Sequence, residues 1–422
     1  MAGQLFWRNK IHPKTLKNPQ AFQAIIQEKL RIYHEKSIYS SFRIFMRCSQ
    51  VLGILPLGNL SGSVEKLQFK WRSWRVIYSM FLMVLLGIAM VCCMVHWAVS
   101  GSSINSLDTG VFYGGSLLTL ILYLRLAISW PKLMKFWYSM DKMMNINYGY
   151  PRRLDFTVRA FMVIFTVLGF ADYLLSVGSK YEELLSRHYS NISTEDLVAK
   201  SPQELFKYIP YSTATAPFFV IITVHSHLTW ALNDMFIVVA STALAIRFRQ
   251  ITQKLGQQNK QKIVSLVFWK GIREDYDRLA TFCKELDSHI SPIILLSYFL
   301  NIFFLLIQLY HGLESISLTV RKVYFVFSFV YLIFKTTTVS LYAAWINDES
   351  KAPTNALNSI DSSIYNVEIR RLLTQISFDK TALTGCKMFV VKRGIILSVA
   401  SAIVTYELVL IQFTQANLYN YI

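Results

Sequence analysis

Apolar residues along this chain fall into blocks of about 20, the length that spans a hydrocarbon core of roughly 30 Å as a helix. Seven such blocks predict membrane helices at Val76–Trp97, Val111–Ile128, Ala160–Val177, Phe218–Ala245, Ile290–Tyr310, Val323–Ala344 and Gly394–Phe413. The fourth exceeds one bilayer thickness, which predicts tilt or projection beyond the membrane. Three stretches between blocks keep helical periodicity while carrying charge. In Pro19–Val51, Phe22, Ile25, Ile26, Leu30 and Tyr33 share a stripe. In Phe248–Ser288, Leu266, Trp269, Tyr276, Leu279 and Leu286 recur at helical spacing, and Ile360–Ile376 carries Ile364, Val367, Leu372 and Leu373. Such stripes need a surface to bury against. For the first, a membrane surface and the chain's own cytoplasmic helices are both open. For the others, the chain itself and a neighbouring subunit are both expected.

Composition agrees with this pattern. The 422 residues are 53% hydrophobic and 16% charged, too apolar for an ordinary water-soluble globule. The net charge of +18 would suit a nucleic-acid binder, but the basic residues sit at the ends of apolar blocks, which argues against nucleic acid as a partner. No signal-type apolar core precedes residue 76, so the first span is expected to serve as the insertion signal. The five cysteines show neither a disulfide framework nor a CxxC pair.

Charge also orients the chain. Segments 1–75, 129–159, 246–289 and 345–393 hold 13, 6, 9 and 7 of the 43 Lys and Arg residues. The alternate segments 98–110, 178–217, 311–322 and 414–422 hold 0, 4, 2 and 0. The positive-inside rule therefore predicts a cytoplasmic N-terminus and an extracellular C-terminus. The resulting organisation has a cytoplasmic amphipathic segment (1–75) and four spans (76–245) that include an extracellular loop (178–217). Cytoplasmic helical extensions (246–289), two spans (290–344), a cytoplasmic segment with a subunit-contact helix (345–393), a last span (394–413) and an extracellular tail (414–422) follow. The sequon at Asn191 falls on the predicted outer side and is a glycosylation candidate; that at Asn59 falls inside and should be silent.

Polar residues in two regions stand out, because polar groups inside a membrane must face protein or water. The last span carries Thr405, Glu407 and Gln412. Thr405, Leu408 and Gln412 lie on one helical stripe bordered by Ile411, whereas Glu407 lies about 200° around from Thr405. Glu407 is therefore expected to face the protein interior, paired with a basic residue; the alternative is a pore-lining carboxylate ring, which would favour cations.

The chain's end also carries a resemblance. Thr405-Tyr406, five intervening residues and Gln412-Phe413 resemble the C-terminal signature of insect gustatory receptors. Ala382-Leu383-Thr384-Gly385-Cys386-Lys387, leading through Arg393-Gly394, is similar to the sugar-receptor branch of that family. The resemblance implies an all-α fold of seven spans with inverted orientation, similar to insect odorant receptors, which assemble as tetrameric channels. It implies a sweet-taste receptor in the plasma membrane of gustatory sensory neurons, acting as a ligand-gated cation channel. Its partners would be a mono- or disaccharide, permeating cations, membrane lipids, and either identical or related subunits. In that frame the last helix lines the pore, with Leu408 or Ile411 in the gate, Thr405 as a hydroxyl ring and Gln412 as a constriction; packing between helices is the alternative for Gln412.

A sugar pocket needs hydrogen-bonding groups and aromatic faces on an apolar wall. The outer halves of the spans offer Asp172 and Tyr173 on the third and His227, Trp230, Asn233 and Asp234 on the fourth. The fifth and sixth add Gln308, Tyr310, His311 and Tyr331. His227, Trp230 and Asp234, at i, i+3 and i+7, share a face. An interhelical ion pair or hydrogen bond is the alternative for each aspartate. His225 and His227, two residues apart on a helix, diverge and do not suggest a metal site. Lys335 is expected on the inner half of the sixth span, snorkelling or paired. Neither a cofactor loop nor a catalytic triad signature is visible, so no enzyme is expected. A metabotropic receptor and a sugar transporter remain the alternatives to a channel.

Overall fold

A computed structural model describes residues 37–101, 104–151, 153–187, 214–259, 265–312 and 318–419, with isolated positions between 205 and 212. Ten α-helices, one short 3-10 helix (Val64–Lys66) and one small β-hairpin follow among them. They are α1 (Ile38–Val51), α2 (Trp74–Ser100), α3 (Ile104–Tyr148), α4 (Leu154–Arg187), α5 (Ala216–Asn259) and α6 (Leu266–Gly312). After these come α7 (Thr319–Lys351), α8 (Pro353–Asn358), α9 (Val367–Phe378), strands β1 (Thr384–Gly385) and β2 (Phe389–Val390), and α10 (Gly394–Tyr419). Helices α2 to α7 are each long and apolar enough to cross a membrane. The 26 residues of α10 reach about 39 Å, also enough for a crossing.

Several helices outrun the apolar blocks within them. Helix α3 continues through Pro131 for 45 residues. A proline costs a helix one hydrogen bond, but Trp130 and Trp137 on either side are fully buried and hold the segment in place. The helix stops at Gly149, whose φ of 80° is left-handed. Helix α6 likewise runs through Pro292 for 47 residues.

Helix α5 is the central helix. Every residue from Ala231 to Ala245 is buried, so the helix is enclosed on all sides. Around its lower half sits α1, which buries one face on the bundle and leaves Ile44, Arg47, Cys48 and Val51 exposed. Phe42 packs against Trp137 (ring centroids 4.9 Å apart) and Phe45 stacks on Phe236 of α5 (5.3 Å). Beyond α1 the chain reaches up to the carbonyl of Leu52, which is 2.9 Å from His225 Nε2. For the described part of the N-terminal segment, packing on the chain's own helices is therefore the outcome. Phe22 to Tyr33 and the sequon Asn191 lie outside the described residues.

At the end that the charge pattern assigns to the cytoplasm, Arg247 of α5 is 1% exposed and all five of its N–H donors are engaged. Nε donates to Asp141 (2.9 Å), Nη1 to Gly149 O (3.0 Å) and Gln250 (2.7 Å), and Nη2 to Asp141 and Asn145. Asp141 also accepts the Ile38 N–H. One guanidinium thus ties α1, α3 and α5 together.

Helix α9 starts later than the periodicity alone suggests. Asn366 caps it by accepting the N–H groups of Glu368 (3.0 Å) and Ile369 (3.1 Å). Ile369, Leu372 and Ile376 form its buried face while Val367 is exposed. Glu368 accepts from Arg273 of α6 at 2.6 Å.

Candidate functional site

The middle of the bundle holds an enclosed cavity lined by Gly169 and Asp172 of α4, His227, Trp230 and Ala231 of α5, and Ser328, Tyr331, Leu332 and Lys335 of α7. Backbone geometry sets its depth. Asp234 lies about 27 Å below the start of α5 and Lys335 about 24 Å below the start of α7, at 1.5 Å per residue. Gly169 keeps α4 close: a β-carbon there would sit 3.1 Å from Ala231 Cβ and 3.3 Å from the Tyr331 hydroxyl.

Lys335 organises the site. It is 2% exposed, and its ammonium lies 3.7 Å from Asp234 Oδ2 and 3.4 Å from the centre of the Trp230 ring. The Tyr331 ring is 5.0 Å away. Charge neutralisation and cation–π attraction together offset the cost of burying an ammonium. Asp234 accepts further hydrogen bonds from Ser297 Oγ (2.5 Å) and Asn301 Nδ2 (3.1 Å) of α6. Asn301 Oδ1 in turn accepts the Trp230 indole N–H (3.0 Å), which fixes the tryptophan plane. Phe304 packs 4.6 Å from the same ring. Asp172 Oδ2 is 4.0 Å from His227 Nδ1, and its other oxygen is buried with no hydrogen-bond partner among the described residues. The His227 ring is flanked by Tyr173 (5.4 Å) and Phe112 (4.9 Å).

Of the residues expected at a sugar pocket, Asp172, His227, Trp230 and Tyr331 line the cavity. Asp234 joins through Lys335, and Tyr173 through its contact with His227. Gln308 reaches the rim by donating to Ser328 (3.3 Å). Tyr310 and His311, whose rings lie 5.6 Å apart, stand further along α6 and do not line the cavity. Asn233 is buried but turned elsewhere, its amide without a hydrogen-bond partner among the described residues. Lys335 does not snorkel to the inner face: its pair with Asp234 sets both at one level. Ser297 and Asn301 were not singled out from the sequence. Their i, i+4 spacing within an apolar run was the available signal.

The cavity measures about 10 Å³, room for about one water. Ordinary ligand pockets are roughly 300 Å³ or more. In this structure the cavity is therefore too small for a sugar, and the lysine ammonium sits on the aromatic face.

A second feature lies along α10. Leu306 of α6 and Leu397, Ser398, Ser401, Ala402, Thr405, Tyr406 and Val409 of α10 line a broad open groove of about 850 Å³. Thr405 and Gln412 are exposed and Leu408 is 57% exposed; the Ile411 side chain lies outside the described residues. Glu407 is also exposed and makes no ion pair among the described residues, contrary to the expectation that it faces inward. In a single subunit α10 leans on few neighbours, so its polar face is left open.

A family model described as trehalose receptor matches residues 23–420. The chain belongs to this family, the insect sugar gustatory receptors. It is 31% identical over 378 residues to gustatory receptor for sugar taste 64f of Drosophila melanogaster, covering 87% of this chain and 79% of that protein. It is 28% identical over 391 residues to gustatory receptor 5a for trehalose of the same species, covering 90% and 86%. Among solved structures, the family member resembles the insect olfactory receptor OR5 from Machilis hrabei. The TM-score is 0.62 at 14% identity, covering 88% of this chain and 97% of that one. OR5 in complex with eugenol matches with a TM-score of 0.52 at 15% identity. At these identities the likeness shows the fold: a multi-pass, all-α membrane protein.

Proposed function

We propose that this protein is a sugar-gated, non-selective cation channel of the plasma membrane of gustatory neurons, built as a tetramer of like or related subunits. Sugar binds in the cavity of each subunit, and four α10 helices line a central pore. The carrying observation is the cavity itself. In a member of a sugar-receptor family, a buried chamber is lined by an indole face, a tyrosine, a histidine, a carboxylate and a lysine that pairs with a second carboxylate, the kinds of group that recognise a sugar's hydroxyls and its less polar ring faces. Because the cavity is closed, sugar must select a conformation in which it is open. Only a higher affinity for that conformation lets binding drive the channel. The exposed Thr405, Leu408 and Gln412 support the pore assignment, since a helix carrying polar groups on an open face calls for partners or a water column.

Patch-clamp recording from cells expressing the chain tests the proposal. Prompt cation current evoked by trehalose, sucrose, maltose or glucose with G-protein signalling blocked is the expected result. A surface-expressed protein without current overturns it; signalling through G proteins then favours a metabotropic receptor, and sugar uptake without channel-like current a transporter. Trp230→Ala should raise the half-maximal sugar concentration, whereas Gln412→Ala should alter permeation or gating without changing sugar binding.

A further inference from the structure

The link between the cavity and the base of α10 is short and continuous in this fold. Helix α6 supplies Ser297 and Asn301 to Asp234 at the cavity level. Ten residues earlier on the same helix, about 15 Å toward the cytoplasm, stands Asp287. Its carboxylate accepts both donors of Thr384: the backbone N–H at 2.6 Å and the hydroxyl at 2.8 Å. Thr384 opens the hairpin β1–β2, which pairs Thr384 with Val390 and Gly385 with Phe389.

This hairpin is held from outside as much as by itself. Three residues, Cys386 to Met388, join the paired strands, and Cys386 (φ 49°) and Lys387 (φ 61°) are both left-handed, a conformation that favours glycine or asparagine. Gly385 allows close closure, since a β-carbon would come within 2.4 Å of the Phe389 ring. Phe389 stands edge-on to Tyr298 of α6 (5.3 Å), whose hydroxyl bonds Ser340 of α7 (2.8 Å). Leu383 and Val391 are fully buried, and the Val391 N–H donates to Leu383 O at 2.9 Å. Two residues later Arg393 binds Asp348 of α7 at 2.5 Å, and α10 begins at Gly394. Little slack separates the clasped hairpin from the first turn of α10.

We infer that the Asp287–Thr384 clasp is the positioning element through which a displacement of α6 at the cavity reaches the base of α10. This rests on the channel reading with α10 as the pore helix. Asp287 touches neither sugar nor permeating ion. It acts by making the hairpin, and with it the foot of α10, follow α6. A coupling of this kind links two sites through one physical element, as coupling between distant sites requires. The alternative is that Asp287 only folds the hairpin.

Asp287→Asn, Thr384→Val and Thr384→Ser in the full chain separate these roles. Two readouts are taken: sugar-evoked current normalised to surface protein, using the strongest agonist of the panel above, and amide hydrogen exchange of the purified protein. With the clasp loosened, the open–closed balance at saturating sugar should fall by about 2- to 30-fold, the span of measured coupling effects. The half-maximal sugar concentration should rise by no more than that same factor, because coupling between two sites is reciprocal. Thr384→Ser, which keeps both donors, should behave as wild type. Exchange should speed up over residues 383–391 and onward into 394–409. Asp287→Asn and Thr384→Val combined should have less than the sum of their separate effects. Thr384→Val retains the backbone donor and serves if Asp287→Asn fails to reach the surface. Wild-type gating in both variants at normal surface level, or faster exchange confined to 383–391, overturns the inference. A wild-type chain with no sugar current overturns the proposed function instead, and the exchange pattern then decides the clasp alone.

Discussion

Lys335→Met would leave Asp234 buried with only Ser297 and Asn301 to satisfy it. Removing one partner of a buried ion pair costs about 3–5 kcal/mol, whereas replacing both charges is often near neutral. Lys335→Met should therefore lower the melting temperature and surface yield sharply, and Lys335→Met with Asp234→Asn should recover most of the loss. Thermal unfolding in detergent checks both; equal losses in the single and double variants would show the pair to be energetically idle. The same logic applies to Arg247, whose five donors fill a fixed fork of acceptors. Arg247→Lys keeps the charge but has only three donors on a tetrahedral head. It should cost stability on the order of 1–3 kcal/mol, the penalty for leaving buried acceptors unsatisfied. Unchanged melting would show that water replaces the fork. In the sequence Lys335 was visible as a charge within an apolar block and Arg247 as one of several basic residues just beyond one. Their partners were not, because Asp141 and Asp234 come from helices whose facing surfaces only packing decides.

Between elements, the contact of α6 with α9 is electrostatic at its rim. The hydrogen bond from Arg273 holds the Glu368 carboxyl below its usual range, with Arg371 adding to the effect. A lowered carboxylate stabilises the fold fully above the ordinary glutamate pKa of about 4.3 and loses that contribution as pH falls through its folded value. The melting temperature of Glu368→Gln should thus lie below wild type at about pH 7, and the gap should close as pH drops below about 4. A gap independent of pH would assign the effect to packing. At this scale periodicity located Leu372 in α9 and the helical character of 248–259 and 266–288, but it missed the capping start at Asn366 and the continuation of α3 through Pro131. In both cases a tertiary contact outweighs the local signal: Asn366 satisfies the first N–H groups, and buried tryptophans offset the proline.

For the whole molecule, the exposed groove along α10 and the open face of Thr405, Leu408 and Gln412 are the surface that the proposed assembly would cover. Native mass spectrometry of the solubilised protein should give four copies of the 48.8 kDa chain, alone or with related subunits. A monomer as the sole species would remove the pore. An epitope at Ile422 should be accessible on intact cells and one at Met1 only after permeabilisation, since the charge asymmetry of the loops sets the orientation.

Composition and block length determined by themselves that this is a polytopic helical membrane protein, and loop charge predicts which side each loop takes. Those properties depend on transfer to the bilayer and need no knowledge of contacts. The C-terminal motif pointed to the family. The tertiary structure alone decided that Lys335 and Asp234 meet at one level, that Asn233 turns away from the cavity, that α1 enters the bundle and that the chamber is closed. It also placed Asp287 against Thr384, 97 residues along the chain. Depth and facing depend on the rotation and tilt of each long helix against its neighbours, which no local pattern encodes.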